Sequence, residues 1–123
     1  MSMDASKIRQ RIVLLRKARE KIEGLALRRV SMIDGYWITR YIECGKSGCK
    51  CASGDKHGPY YYISRTVKGK THLEYIEQEY MNKEQMCKSW SRHSGWVAEM
   101  VKFNREIESL YRQLAKAQVK RRE

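Results

Sequence analysis

Acidic residues, proline and long apolar runs are all scarce in this sequence. Its 123 residues include 14 Asp or Glu against 26 Lys or Arg, so the net charge is +12 with histidine neutral. The single proline, beside eight tyrosines and three tryptophans, argues against a disordered chain. No apolar run approaches the roughly 20 residues of a membrane span, and no apolar segment near the N-terminus is of the signal-peptide type. We therefore expect a cytoplasmic protein with no membrane partner.

The size and charge of the chain narrow the choice of partner. The length suits a single domain, residues 1–123, with little room for a second core. An excess of positive charge indicates a polyanionic partner, and nucleic acid is the first candidate. If that partner is DNA, the protein is expected to be associated with the nucleoid.

The sequence also lacks the patterns that common catalytic sites require. We find no Ser/His/Asp order, no phosphate-binding glycine loop before a helix and no paired carboxylates. Asp34, Glu43 and Asp55 are scattered near turns and strand ends, where acidic residues often serve local roles. We predict no catalytic residue and no organic cofactor.

Residues 4–29 have the pattern of a basic amphipathic helix. An apolar stripe recurs at three-, four- and seven-residue steps, which is the period of one helix face: Ile8, Ile12, Leu15, Ile22 and Leu25. Asp4 or Ser6 can cap the start of this helix. Residues 1–30 hold nine basic and three acidic side chains. The basic face, with Arg16 and Lys17, is either a solvated surface or a surface that contacts phosphates.

In residues 34–76 the sequence pattern changes from that of a helix to that of β-strands, which predicts a small sheet. Aromatic and β-branched residues predict strands at 35–43, 60–66 and 70–76. For the hairpin between the last two strands, a two-residue Lys68-Gly69 turn would require a positive φ at Lys68, which is unfavourable. We therefore predict a three-residue loop with a bulge at Gly69. This register pairs Ile63 with Leu73 and Tyr61 with Tyr75, and it buries those four side chains while Tyr60, Tyr62, Lys70 and His72 lie on the opposite face.

Residues 80–122 predict a long helix or a pair of helices. A heptad-like seam runs through the segment: Trp96, Met100, Phe103, Ile107, Leu110, Leu114 and Ala117. Ser94-Gly95 is a possible break. The seam packs either against the first helix of the same chain or across a dimeric coiled coil, and a bundle with a second copy combines both. We expect a homodimer. The predicted fold class is α+β: a basic helix, a three-stranded antiparallel sheet with a Cys/His loop, and the C-terminal helical part.

The loop between the first two strands has the composition of a metal site. Cys44, Cys49, Cys51 and His57 follow the spacing Cys-x4-Cys-x-Cys-x5-His, and thiolates with imidazole are the usual ligands of a tetrahedral Zn²⁺. The two-residue step from Cys49 to Cys51 is uncommon for chelation, because alternate side chains diverge in an extended chain. A metal-free loop of buried cysteines and a redox or catalytic thiol are the alternatives. Further candidates for a ligand are Cys87, His72 and His93.

The same loop carries a resemblance to a known family. The string Cys-Gly-Lys-x-x-Cys-x-Cys, then His-Gly-Pro-Tyr-Tyr-Tyr-x-Ser-Arg and Gly-Lys-Thr, spans Cys44 to Thr71 and resembles a small family of uncharacterised prokaryotic proteins that carry a domain of unknown function. The resemblance implies that Cys44, Cys49, Cys51 and His57 act as one unit, with Cys87 outside it. It implies no particular activity.

Basic and aromatic residues alternate through the sheet segment. Between Arg40 and His72 there are seven basic and two acidic side chains, interleaved with tyrosines. Lys and Arg contact phosphates, while aromatic rings stack on exposed bases. The predicted contact residues are Arg16, Lys17, Arg40, Lys46, Lys50, Tyr60, Tyr62, Arg65, Lys68 and Lys70. The sequence favours sequence-tolerant binding of nucleic acid, most readily DNA; the alternatives are an adaptor that binds proteins through its helices and an enzyme that processes nucleic acid.

Overall fold

The computed structural model describes residues 4–46, 48–50, 54, 56–78 and 80–120. Its elements follow in the order α1 (Ala5–Ala26), β1 (Tyr36–Ile42), β2 (His57–Val67), β3 (Lys70–Ile76) and α2 (Tyr80–Ala117). This confirms the predicted α+β class. The C-terminal part is one continuous helix that runs through Ser94 and Gly95. Neither helix is long and apolar enough to cross a membrane in the part of the chain that is described.

The chain divides into two compact units. The helical unit combines Met1–Arg29 with His93–Glu123, and the sheet unit is Val30–Arg92. Each unit has its own apolar core.

In the helical unit, α1 and the second part of α2 bury one stripe of side chains. The Asp4 side chain caps α1 by accepting a hydrogen bond of 2.9 Å from the backbone N–H of Lys7. The buried residues are Ile8, Ile12, Leu15, Ile107 and Leu110, with Phe103 and Leu114 packed against them. This confirms that the middle of the predicted seam packs against α1 of the same chain.

In the sheet unit, β2 is the central strand of an antiparallel sheet with the order β1-β2-β3. Ile63 and Ile76 are buried against Cys87 of α2, and Ile33, Trp37 and Tyr61 surround them. The Trp37 and Tyr61 rings stack with their centroids 5.3 Å apart. Because side chains alternate between the two faces of a strand, this core lies on one side of the sheet, which we call the core-side face.

The predicted hairpin register is wrong by one residue on β3. Val67 pairs with Lys70 and Tyr62 pairs with Tyr75, so the turn has only Lys68 and Gly69 between the strands. Both turn residues have positive φ, 52° at Lys68 and 79° at Gly69, as a type I′ turn requires. The twist of that turn matches the twist of the strands, and this outweighs the cost of a left-handed lysine.

The shift by one residue exchanges the faces of β3, because its side chains alternate. Leu73 and Tyr75, which were predicted to be buried, are exposed on the side opposite the core. Ile76 takes the buried position instead and pairs with Tyr61. Lys70 and His72 lie on the core-side face by the same alternation, and so are not beside Tyr62.

Candidate metal centre and nucleic-acid interface

Three of the four predicted metal ligands lie together at one end of the sheet. The ligand atoms of Cys44, Cys49 and His57 are all within 4.8 Å of one another. The Cys49 Sγ atom lies 3.2 Å from Nε2 of His57. In a tetrahedral zinc site, bond lengths of about 2.0–2.3 Å place neighbouring ligand atoms roughly 3.5–3.8 Å apart. The cluster is therefore close to the spacing that a metal ion needs.

Strand pairing brings the two ends of the loop together. Ile42 at the end of β1 pairs with His57 at the start of β2, with a bulge between Arg40 and Ile42. Cys44 follows Ile42 by two residues, so the chain returns to His57 close to the point where it left. Gly58 makes this possible, because its φ is 140° and a Cβ there would lie 2.8 Å from the Arg40 carbonyl oxygen.

The cysteines set the electrostatics of the cluster. Hydrogen bonding to the Cys44 thiol, and next to that of Cys49, raises the pKa of His57 above its ordinary value. His57 and Cys44 are exposed, whereas Cys49 is half-buried. Cysteine and histidine bind a metal ion in their deprotonated forms, so protons and a metal ion would compete for these three side chains.

The remaining candidates for a ligand are placed differently. Cys51 lies outside the described residues. Cys87 is 2% exposed in the core of the sheet unit, where burial raises the pKa of its thiol. His72 lies in β3 opposite Arg65, and His93 belongs to α2 in the helical unit. None of these three described residues belongs to the cluster of Cys44, Cys49 and His57.

The predicted phosphate contacts of the sheet unit lie mostly on its surface. Arg40, Lys46, Lys50, Lys68 and Lys70 are exposed, as is Lys56 in the same loop. Lys46 and Lys50 belong to the loop that bears the cysteines, while Lys68 and Lys70 lie at the opposite end of β2, at the hairpin turn. Arg65 is half-buried, and its guanidinium lies 3.4 Å from the Asp34 carboxylate.

The basic residues of α1 have more acidic neighbours. Arg11 pairs with Glu106 at 3.2 Å, and Arg19 pairs with Glu23 at 3.0 Å. Arg16 and Lys17 are exposed beside a depression that Glu20 and Glu23 also line. The positive charge of this helix is therefore partly offset within the helical unit itself.

Tyr60 and Tyr62 lie on the face of the sheet opposite the core, which we call the open face. Strand alternation and register assign ten residues to it: Tyr36, Ile38, Arg40, Tyr60, Tyr62, Ser64, Thr66, Thr71, Leu73 and Tyr75. The Tyr62 and Tyr75 rings meet edge to face with their centroids 5.5 Å apart. The guanidinium carbon of Arg40 lies 5.5 Å from the centroid of Tyr62.

Sequence reasoning missed Tyr75 as a member of this surface. The signal was present in the sequence, since a two-residue turn that ends in glycine predicts the type I′ hairpin. In this hairpin the fit of a type I′ turn to the strands outweighs the preference against lysine at positive φ.

Comparisons with known proteins identify a family without assigning an activity. A family model described as "Domain of unknown function (DUF6788)" matches residues 7–85. No curated protein and no solved structure matches the chain.

Proposed function

The chain belongs to the DUF6788 family, and we propose that it is a sequence-tolerant nucleic-acid-binding protein whose sheet unit makes the contacts. The observation that carries the proposal is the exposed positive charge of that unit. Seven basic side chains stand against two acidic ones between Arg40 and His72, and most of the seven are exposed at the two ends of β2. Phosphate groups are the ligands that such lysines and arginines bind without reading sequence.

The structure favours the sheet unit over α1 as the main contact. Arg11 and Arg19 of α1 already pair with carboxylates, so part of the positive charge of this helix is offset. Arg16 and Lys17 remain as secondary contacts. DNA is the expected polymer, and a nucleoid-associated location follows from it.

We assign the cluster of Cys44, Cys49 and His57 to a structural zinc ion, with Cys51 as the fourth ligand. Two thiolates and an imidazole at this spacing suit Zn²⁺ better than a hard cation, which prefers oxygen ligands. The ion would tie the end of β1 to the start of β2. That junction carries Arg40 and Tyr60, and a fixed junction keeps both side chains in place for binding.

A titration with duplex DNA tests the proposal. Fluorescence anisotropy of a labelled duplex, measured at two salt concentrations, should give binding that weakens with a log–log slope of roughly −0.9 for each phosphate contact. Lys68→Glu with Lys70→Glu should weaken binding to unrelated sequences alike, because phosphate contacts carry no sequence information. The control with the same charge change is Lys102→Glu with Lys116→Glu, two exposed lysines of α2, which should change it much less.

Absence of binding by the wild-type chain at low salt would contradict the proposal. It would favour the second candidate, an adaptor that binds a protein through its helices. One observation supports that candidate: Val13 and Leu14 of α1 are 46% and 59% exposed, and they line a shallow apolar depression with Arg9 and Gln10.

A further inference from the structure

The open face of the sheet has an unusual composition for a surface that faces solvent. A sheet that packs on one side only normally presents polar side chains on the other. Here Tyr36, Leu73 and Tyr75 are 66%, 44% and 46% exposed, and Tyr60 and Tyr62 are half-buried among them. Clustered apolar surface of this kind marks a place where another molecule binds.

The rings of the open face form one connected cluster. The Tyr75 centroid lies 6.4 Å from that of Tyr60 and 5.5 Å from that of Tyr62. Cross-strand neighbours support Tyr62 on both sides, since it pairs with Ile38 of β1 and with Tyr75 of β3. Tyrosine has only two side-chain torsions, so rings held in this way offer aromatic surface at a small cost in entropy.

The charge of the open face selects the kind of partner. None of the ten residues that the register places on this face is acidic, and Arg40 extends over the Tyr62 ring. Lys46, Lys50 and Lys56 belong to the loop that follows β1, whose end bears Arg40. Aromatic rings beside arginine and lysine are the combination that binds single-stranded nucleic acid, because bases stack on the rings while the cations neutralise phosphates.

We propose that the open face binds unpaired bases of single-stranded nucleic acid, with Tyr62 and Tyr75 as the stacking residues and Arg40 as a phosphate contact. This inference rests on the proposed function and adds to it a preference for single strands. Duplex DNA keeps its bases paired and stacked, so it offers phosphates to the lysines but no base faces to the tyrosines. The two classes of contact are therefore separable by mutation.

The test compares one set of variants on two probes. Anisotropy titrations use labelled oligo(dT) and a labelled duplex of the same length, with the full chain loaded with zinc. Tyr62→Ala should weaken binding to oligo(dT) by about 5- to 150-fold, and binding to the duplex by less than about twofold. Tyr62→Phe should keep the binding, since the ring remains. The matched control is Tyr111→Ala, which removes a tyrosine that is 50% exposed on α2 and should change neither probe.

Two further measurements keep the test decisive. Where circular dichroism shows that Tyr62→Ala does not fold, Tyr75→Ala carries the same comparison. Tyr62→Trp supplies a direct signal, because oligo(dT) should quench its fluorescence more than it quenches that of the wild-type chain.

The possible outcomes separate this inference from the proposed function. If Tyr62→Ala and Tyr75→Ala leave oligo(dT) binding intact, or weaken both probes equally, the stacking role is overturned while nucleic-acid binding stands. If the wild-type chain binds neither probe at low salt, both proposals fall. If Tyr62→Asp converts a dimer into a monomer in the absence of nucleic acid, a second copy of the chain covers this face and the inference is overturned.

Discussion

Cys49 and His57 lie with Sγ and Nε2 3.2 Å apart, although they are eight positions apart in the sequence. The contact depends on strand pairing at Ile42 and His57 and on the close passage of Gly58 past the Arg40 carbonyl. These backbone features place the thiols of Cys44 and Cys49 next to the imidazole of His57.

Protein that is made in zinc-replete and reducing conditions should contain about one Zn²⁺ per chain. Cys44→Ser, Cys49→Ser and His57→Gln should each remove the metal and lower the melting temperature, because the binding energy of a structural zinc contributes to folding. Cys51→Ser tests the fourth ligand and should behave like the other three. His72→Gln is the control, since that exposed histidine on β3 is outside the cluster. Elemental analysis that finds no metal in the wild-type protein would refute the site.

The cysteines should differ in their reactivity towards alkylating reagents. Burial keeps Cys87 protonated and out of reach, and the thiolate is the reactive form. Cys87 should therefore react only on unfolding, whereas Cys44 should react readily in metal-free protein and slowly after zinc is added. Mass spectrometry after brief treatment with iodoacetamide measures both rates. Rapid labelling of Cys87 in the folded protein would contradict the buried position.

The hairpin turn should be improved by Lys68→Asn. Lys68 has a φ of 52°, a conformation that costs most side chains roughly 1–2 kcal/mol and that asparagine tolerates. The substitution should raise the free energy of unfolding by about 0.5–1 kcal/mol, which thermal denaturation measures as a shift of a few degrees. Lys70→Asn removes the same charge in the first residue of β3 and should give no such gain. Equal effects of the two would argue for the three-residue loop instead.

Leu110→Asp should disrupt the helical unit. Leu110 is 6% exposed and packs with Ile107 against α1, so a carboxylate there loses apolar contacts and becomes desolvated, at a cost of at least about 3 kcal/mol. Tyr111→Asp changes the adjacent exposed residue and should cost less than about 0.5 kcal/mol. Thermal unfolding of the two variants, followed by the helix signal in far-ultraviolet circular dichroism, compares their stabilities.

The fold class was predictable because each element has a clear period. The stripe of Ile8, Ile12 and Leu15 specifies a buried helix face, and the aromatic and β-branched run of β1 specifies a strand. The hairpin register was not predictable from the preference against a positive φ at Lys68. The match between a type I′ turn and the twist of the strands opposes that preference and is the stronger of the two in this hairpin.

The grouping of Cys44, Cys49 and His57 was predictable from the sequence, but the geometry of the cluster was not. Residue type, spacing and the family resemblance together grouped Cys44, Cys49 and Cys51 with His57. The pairing of Ile42 with His57 is a long-range contact that no local pattern encodes. The open face depended on the register, and so Tyr75 was assigned to the wrong side. A register error of one residue moves every side chain of a strand to the opposite face of the sheet, although the bounds of the strand are still predicted correctly.

The bulge between Arg40 and Ile42 has a consequence for how copies of this protein meet in solution. A three-stranded sheet leaves β1 and β3 with backbone groups that can pair with another chain. The bulge has its extra residue in β2, opposite Tyr41, and the stronger local twist at a bulge disfavours regular pairing along the neighbouring β1 edge. Lys70, His72 and Glu74 make β3 a polar edge. The irregularity that brings His57 back to Cys44 thus also hinders edge-to-edge polymerisation into fibres. Deleting Pro59, which would leave one residue of β2 opposite Tyr41, would straighten that edge, and light scattering at elevated temperature would then record faster aggregation than in the wild-type chain.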